Sequence, residues 1–201
     1  MGAHSRLELT RTFIALEMND TLQRHLAGVI RQVALVLPGI RWVDPSSIHL
    51  TFAFLGELTD EQIAEAIQAT EMAAQQAQPF SYRLSRLGTF GSPRYPRVIW
   101  MGVEEPSGSL VSMHRMLNQQ LLQRGFEVGT RPFSPHLTLA RLKSPLSPHE
   151  QQQLQSLLVG KPHNLVPVDS YAAHHLDVMK SELLRTGTRY TCLRSCLIEE
   201  N

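Results

Sequence analysis

Two short segments constrain this chain more than any other feature: Ile48-His49-Leu50-Thr51-Phe52 and Pro135-His136-Leu137-Thr138-Leu139. Each runs histidine, apolar residue, threonine, apolar residue. Successive side chains of an extended strand point to opposite faces, so imidazole and hydroxyl project together while the apolar pair packs behind. A fold built on this chain must therefore supply two strands with one polar and one buried face. With 9 histidines in 201 residues and 42% hydrophobic residues, composition alone gives roughly 0.1 such tetrapeptides in the whole chain. A single copy would pass for an ordinary strand. Two copies, 87 positions apart, point to two half-sites that face one substrate.

Composition bounds what that substrate can be. The net charge is +1, from 19 Lys+Arg against 18 Asp+Glu. That balance excludes a blanket polyanion binder, which needs a broadly basic surface, but leaves room for a local basic site. Lys occurs only at 143, 161 and 180, so 16 of the cations are Arg, whose planar fork matches phosphate in a bidentate way. The two cysteines, Cys192 and Cys196, would lie about 13 Å apart on one face of a strand, too far for a disulfide. They read as small core hydrophobes in a reducing compartment, and no Cys/His cluster has zinc-ligand spacing. No apolar run approaches 18 residues and the N-terminus lacks the apolar core of a secretion signal. The expectation is a soluble cytoplasmic protein with no membrane contact, long enough for one domain spanning 1–201.

Periodicity orders the elements. Thr12 to Leu16 is a short apolar run expected as a buried strand. A helix follows from about Asp20, where Asp20 and Gln23 form a capping-box pattern and Leu22, Leu26, Val29 and Val33 recur at helical spacing. Arg41 to Val43 and Ile48 to Leu55 are expected strands, with Gly56 closing the block. A second helix starts at Thr59, with Gln62 three positions on and Ile63, Ala66, Ile67, Thr70 and Ala74 facing inward. Strands follow at Phe80 to Leu87 and Arg97 to Val103. Ser107 then opens a helix with Leu110, Met113, Leu117 and Leu121 on one face. His136 to Leu142 is the second motif strand, Ser147-Pro148-His149-Glu150 starts a short helix, and Val166 to Ile198 makes two strands around a turn near Gly187. The order of elements repeats roughly between the halves. It implies an α+β fold of two pseudo-symmetric lobes, each an antiparallel-rich sheet with helices packed outside, and an active-site cleft between them.

The wording around the motifs resembles a known family. Arg11-Thr12-Phe13-Ile14-Ala15-Leu16, His49-Leu50-Thr51-Phe52-Ala53-Phe54-Leu55-Gly56 and Arg131-Pro132-Phe133-Ser134-Pro135-His136-Leu137-Thr138-Leu139-Ala140-Arg141 resemble the 2H phosphoesterase superfamily, and within it the bacterial RNA 2′,3′-cyclic phosphodiesterases, also described as 2′-5′ RNA ligases. The resemblance covers nearly the whole chain and is weakest in the C-terminal tail. It implies hydrolysis of a nucleoside or RNA-terminal 2′,3′-cyclic phosphate to a 2′-phosphate, with tRNA halves among the possible substrates. It also implies 2′-5′ joining of RNA ends when a ribose 5′-hydroxyl replaces water. It implies no metal and no nucleotide cofactor; a monomer is expected.

Opening a cyclic phosphodiester requires a proton to leave the attacking water, a proton to reach the departing ribose oxygen, and stabilised charge on the non-bridging oxygens. Histidine, with an ordinary pKa near 6.5, can hold either proton state near neutrality. Thr51 and Thr138, one pleat along, can donate to phosphoryl oxygens. The resemblance assigns His49 as proton donor to the 3′-oxygen and His136 as proton acceptor from water; the near-symmetric motifs alone do not distinguish them. It also places Arg141 on the substrate phosphate. Phe54 is a candidate to stack on the terminal base. Each stands five residues after its histidine, an odd spacing that puts it on the wrong face of a straight strand, so a bend or bulge is required. His174 and His175 are adjacent and disfavour joint metal ligation. His114 is expected at a helix edge, and His4, His25, His149 and His163 at the surface. Trp42 and Trp100 are expected in the core. Two other readings remain open: a related enzyme acting on 2′-5′ oligoadenylate or an ADP-ribose cyclic phosphate, and a non-catalytic module that binds RNA ends. A metal-dependent hydrolase is a third, which full activity in excess EDTA would dispose of.

Overall fold

The computed structural model describes residues 8–159, 169–185 and 187–198; His4 and His163 lie outside them. Along the chain run β1 (Thr10–Glu17), α1 (Asp20–Val36), β2 (His49–Leu58), α2 (Asp60–Gln76), β3 (Phe80–Ser92), β4 (Tyr95–Glu104), α3 (Ser109–Gln123), β5 (His136–Arg141), α4 (Pro148–Val159), β6 (Ser170–Ala173), β7 (His175–Leu184) and β8 (Gly187–Leu197). The strands pair antiparallel in the order β6-β3-β4-β5-β2-β1-β7-β8. The α+β class and the two halves are as expected, but hydrogen bonding joins the halves into one sheet. The seam is β5 against β2, where the register holds a single pair, Leu50 opposite Leu137.

β1 shows why four of its consecutive positions, Phe13 to Leu16, are all apolar. Ile14 and Leu16 face the main core, which they share with Leu22, Leu26 and Val33 of α1, Ala69 and Ala73 of α2, and Leu117 and Leu121 of α3. Phe13 and Ala15 face the other way, into a small cluster with Met179 and the edge of Tyr190. A strand buried on both faces cannot alternate. One face of the sheet thus carries the helices and the other forms a cleft.

Several boundaries differ from the sequence reading, each for a local reason. Asn19, not Asp20, caps α1: its side chain accepts from the Leu22 N–H at 2.9 Å, and Gln23 turns back to donate to the Met18 carbonyl. α3 begins at Ser109 after Gly108, whose φ of 84° suits glycine. Ser107 instead donates to Glu105, whose carboxylate also accepts from the Leu110 N–H and so caps the helix from outside its own turn. Trp42 makes only an isolated bridge to Ala140 rather than a strand. β2 continues through Gly56, which stands opposite Thr12 with φ 79° at an irregularity in the ladder. β3 runs past Leu87 to Ser92 because Gly88 lies under the Trp100 indole, where a Cβ would come within 2.2 Å of the ring. The described part of the tail holds three strands rather than two, β6 pairing with β3 on the far edge. The Thr59 capping box forms as expected, and α4 starts at Pro148 with Ser147 and Glu150 exchanging hydrogen bonds.

A bulge also separates the cysteines. Between Val178–Arg194 and Met179–Cys192 the ladder skips Leu193, so parity flips, and Cys196 is buried while Cys192 is exposed. His25, expected at the surface, is half-buried and lies 2.6 Å from the Tyr171 hydroxyl and 3.6 Å from Asp169. His149 is exposed. Among the described residues no helix is long and apolar enough to cross a membrane.

Candidate active site

Two bulges decide which side chains reach the cleft. Opposite β1, the ladder passes from Ala15–Thr51 to Ile14–Ala53, leaving Phe52 as an extra residue. Opposite β4, it passes from Trp100–Thr138 to Ile99–Ala140, leaving Leu139 as an extra residue. Each bulge sits directly after the threonine of its motif and reverses the inside–outside parity. Burial follows suit: Phe52 and Ala53 in one half, Leu139 and Ala140 in the other, pack against the main core as consecutive residues. Beyond the bulge, Phe54 and Arg141 therefore emerge on the same face as His49, Thr51, His136 and Thr138. All six line one cavity of about 930 Å³. The bend that odd spacing demanded is present in both strands.

The two imidazoles are held alike. His49 Nδ1 lies 3.0 Å from the Ser47 carbonyl and His136 Nδ1 lies 2.7 Å from the Ser134 carbonyl. A carbonyl only accepts, so each Nδ1 carries the proton and donates. Nε2 is left with a lone pair in the neutral ring and a proton in the imidazolium. In the first half a 3₁₀ turn, Pro45–Ser47, presents the carbonyl, itself capped by Asp44 accepting from the Ser46 N–H at 2.9 Å. The Ser46 hydroxyl, which donates to the same carboxylate at 2.7 Å, and then this N–H hold the Asp44 carboxyl below its ordinary pKa. In the second half Pro135 fixes the approach to β5.

Aromatic rings from neighbouring strands set the orientation of both. Phe13 and Tyr190 flank His49 at centroid distances of 4.7 and 4.9 Å. Phe90 meets His136 edge-on at 4.7 Å and Trp100 stands 6.3 Å away. Trp100 is thus on the cleft face, opposite Thr138 in the ladder, and not in the core. Burial by these rings lowers the His49 pKa; the Ser47 hydrogen bond opposes it and the Arg141 guanidinium adds to it. Phe54, 65% exposed, stands 6.2 Å from Phe13 and offers a free face to the cavity. The Phe13, Tyr190, Phe90 and Trp100 contacts were not foreseen from sequence, although Ser47 and Ser134 stand at the same position before each histidine.

His114 departs furthest from its expected place. It lines the cavity, with its ring stacked on Phe133 at 3.9 Å. Among the described residues no group of three or more His, Cys, Asp or Glu side chains is arranged to hold a metal ion.

The curled antiparallel sheet and its paired histidine half-sites define a 2H phosphoesterase. The chain belongs to the LigT like Phosphoesterase family, which matches residues 16–100 and again 102–190. The RNA 2′,3′-cyclic phosphodiesterase of Geobacillus stearothermophilus is 33% identical over 145 residues, 72% of this chain but 46% of that protein. The chain thus spans about half the length of that relative. The RNA 2′,3′-cyclic phosphodiesterase of Methanothermobacter thermautotrophicus is 27% identical over 181 residues, 90% of this chain and 95% of that one. E. coli LigT in its apo form superposes with a TM-score of 0.71 at 27% identity, covering 94% and 98% of the two chains. The same protein with 3′-AMP gives 0.68 at 26%, covering 96% and 100%.

Proposed function

We propose that this protein hydrolyses 2′,3′-cyclic phosphates at RNA or nucleoside ends to 2′-phosphates. His136 takes a proton from the attacking water through Nε2 as the new P–O bond forms. His49 gives its Nε2 proton to the 3′-oxygen as the P–O3′ bond breaks. The two rings finish with exchanged proton states, and solvent resets them. Thr51, Thr138 and Arg141 stabilise charge on the non-bridging oxygens, and Phe54 stacks on the terminal base. Each proton transfer contributes about 10²- to 10⁴-fold.

One observation carries this reading: two Nδ1-anchored histidines, each with its threonine, line a single cavity with Arg141 among them. A lone phosphate ligand would need no second imidazole locked in the same tautomer. Relatives named RNA 2′,3′-cyclic phosphodiesterase, and a LigT structure that holds 3′-AMP, support the substrate class. The lowered His49 pKa fits the acid role, since a weaker base is a stronger acid once protonated, and an anionic phosphate bound alongside favours the imidazolium. By the same displacement, a ribose 5′-hydroxyl in place of water would give a 2′-5′ linkage.

The test is an RNA ending in a 2′,3′-cyclic phosphate, incubated with the protein in excess EDTA, with 2′- and 3′-phosphate products resolved. A 2′-phosphate is expected at full rate. A 3′-phosphate would overturn the assignment of His49 to the 3′-oxygen, and loss of activity in EDTA would favour a metal-dependent hydrolase.

A further inference from the structure

The cavity is larger than one cyclic phosphate requires. Its volume of about 930 Å³ stands near the top of the roughly 300–1,000 Å³ span of small-ligand pockets. Beyond the two motif strands it extends to a lobe walled by α3 and the loop between α3 and β5, where His114, Asn118, Glu127, Arg131 and Phe133 line it. The floor of this lobe is a fixed aromatic plate. His114 and Phe133 are stacked with their planes 6° apart. Phe133 leans on core Phe52 at 5.6 Å, the His114 ring stands 6.3 Å from the same Phe52, and Asn118 Nδ2 donates to His114 Nε2 at 3.3 Å. Around the plate stand a carboxamide with polar capacity to spare, and the exposed Glu127 and Arg131, neither paired with an opposite charge among the described residues.

A flat ring surface ringed by an amide, a carboxylate and a guanidinium is suited to a nucleobase and its phosphodiester. A small anion would use only one of these groups. An RNA 3′ end that presents its cyclic phosphate to His49 and His136 leaves the site through its 5′-phosphate. We propose that this lobe is a second nucleoside subsite, seating the nucleotide immediately 5′ of the cyclic phosphate on the His114–Phe133 plate, with Arg131 on the linking phosphate. The matched substrate is then an RNA end of two or more nucleotides. This inference rests on the phosphodiesterase reading above.

The experiment compares adenosine 2′,3′-cyclic phosphate with the dinucleotide ApA ending in a 2′,3′-cyclic phosphate. The wild-type protein is expected to favour the dinucleotide in kcat/KM by about tenfold or more, as one added base stack warrants. Asn118→Ala and Arg131→Met should bring that ratio towards one while mononucleotide turnover stays within about twofold. A wild-type ratio of one, a ratio that survives both variants, or equal losses on both substrates would overturn the subsite. A ratio of one with inhibition by ApA bearing a free 5′-hydroxyl would assign the lobe to a joining partner instead, and overturn it too. Should neither substrate turn over, the phosphodiesterase reading falls by itself. Calorimetry with ApA 2′-phosphate and adenosine 2′-phosphate then decides the lobe: tighter dinucleotide binding lost in both variants supports it, and equal affinities refute it.

Discussion

A histidine that donates through Nδ1 to a backbone carbonyl has surrendered one of its two edges to the fold, and its chemistry is confined to the other. His49 and His136 both do this, to Ser47 and Ser134, so neither ring can rotate to swap edges without losing a hydrogen bond. Replacing either by alanine should lower turnover of a 2′,3′-cyclic phosphate by at least about 10²-fold, with the thermal midpoint little changed. Ordinary turnover in either variant would sink the two-histidine mechanism. The proton roles make a second, signed prediction. His49 must be protonated in the free enzyme to act as acid, and burial with Arg141 beside it holds its pKa below 6.5. In His136→Ala, where only the His49 proton is still required, the residual kcat/KM should therefore fall as pH rises through a midpoint below 6.5. In kcat that limb should move upward, because the bound phosphate anion stabilises the imidazolium. If the residual activity of that variant instead rises through such a midpoint, the acid and base labels are reversed.

At the scale of single elements, glycine placement connects the sheet to the site. A Cβ at Gly88 would come within 2.2 Å of the Trp100 ring, so the indole, whose centroid stands 6.3 Å from that of His136, must shift. Gly88→Ala should cost about 1–3 kcal/mol of stability and lower kcat, with a changed tryptophan emission reporting the displaced ring. At Gly102 the first obstacle is the rotatable Ser85 hydroxyl at 2.4 Å, so the same substitution there should cost less; equal losses would show that the Trp100 contact is not what matters. At this scale, too, contacts distant in sequence begin to decide the structure. The motif strands, the helices and the Thr59 cap were legible because each depends on residues close in sequence. Gly88 and Gly56 resembled strand ends, since what keeps them within strands is the partner strand above or beside them. Phe54 and Arg141 were placed on the wrong face of an ideal strand, and only the bulges at Phe52 and Leu139, set by β1 and β4, return them to the cleft. His114 was missed because its stacking partner Phe133 lies on a loop whose path no local pattern fixes.

At the scale of the whole molecule, the catalytic geometry depends on how the two halves of the sheet meet. Their ladder contact is the pair Leu50–Leu137, and each leucine is the apolar residue between the histidine and threonine of its own motif. Both side chains are essentially fully buried, at 1% and 0% exposure, in one core that takes in helices from both halves. Leu137→Ala should cost about 2–5 kcal/mol, a large share of the roughly 5–15 kcal/mol that holds a domain folded. Loss of stability alone would not distinguish a seam from any other core position. Leu26 of α1 is equally buried and remote from the cleft, so Leu26→Ala supplies the control. With both variants assayed well below their melting midpoints, Leu137→Ala should also lower kcat, because the void lets His136 shift relative to His49, whereas Leu26→Ala should leave kcat near the wild-type value. The double variant Leu50→Ala/Leu137→Ala should then deviate from additivity in stability by about 0.5–3 kcal/mol, as expected for directly opposed residues. If the two single variants affect kcat equally and the double variant is additive, the halves are positioned by the helices over the sheet and not by the seam between its motif strands.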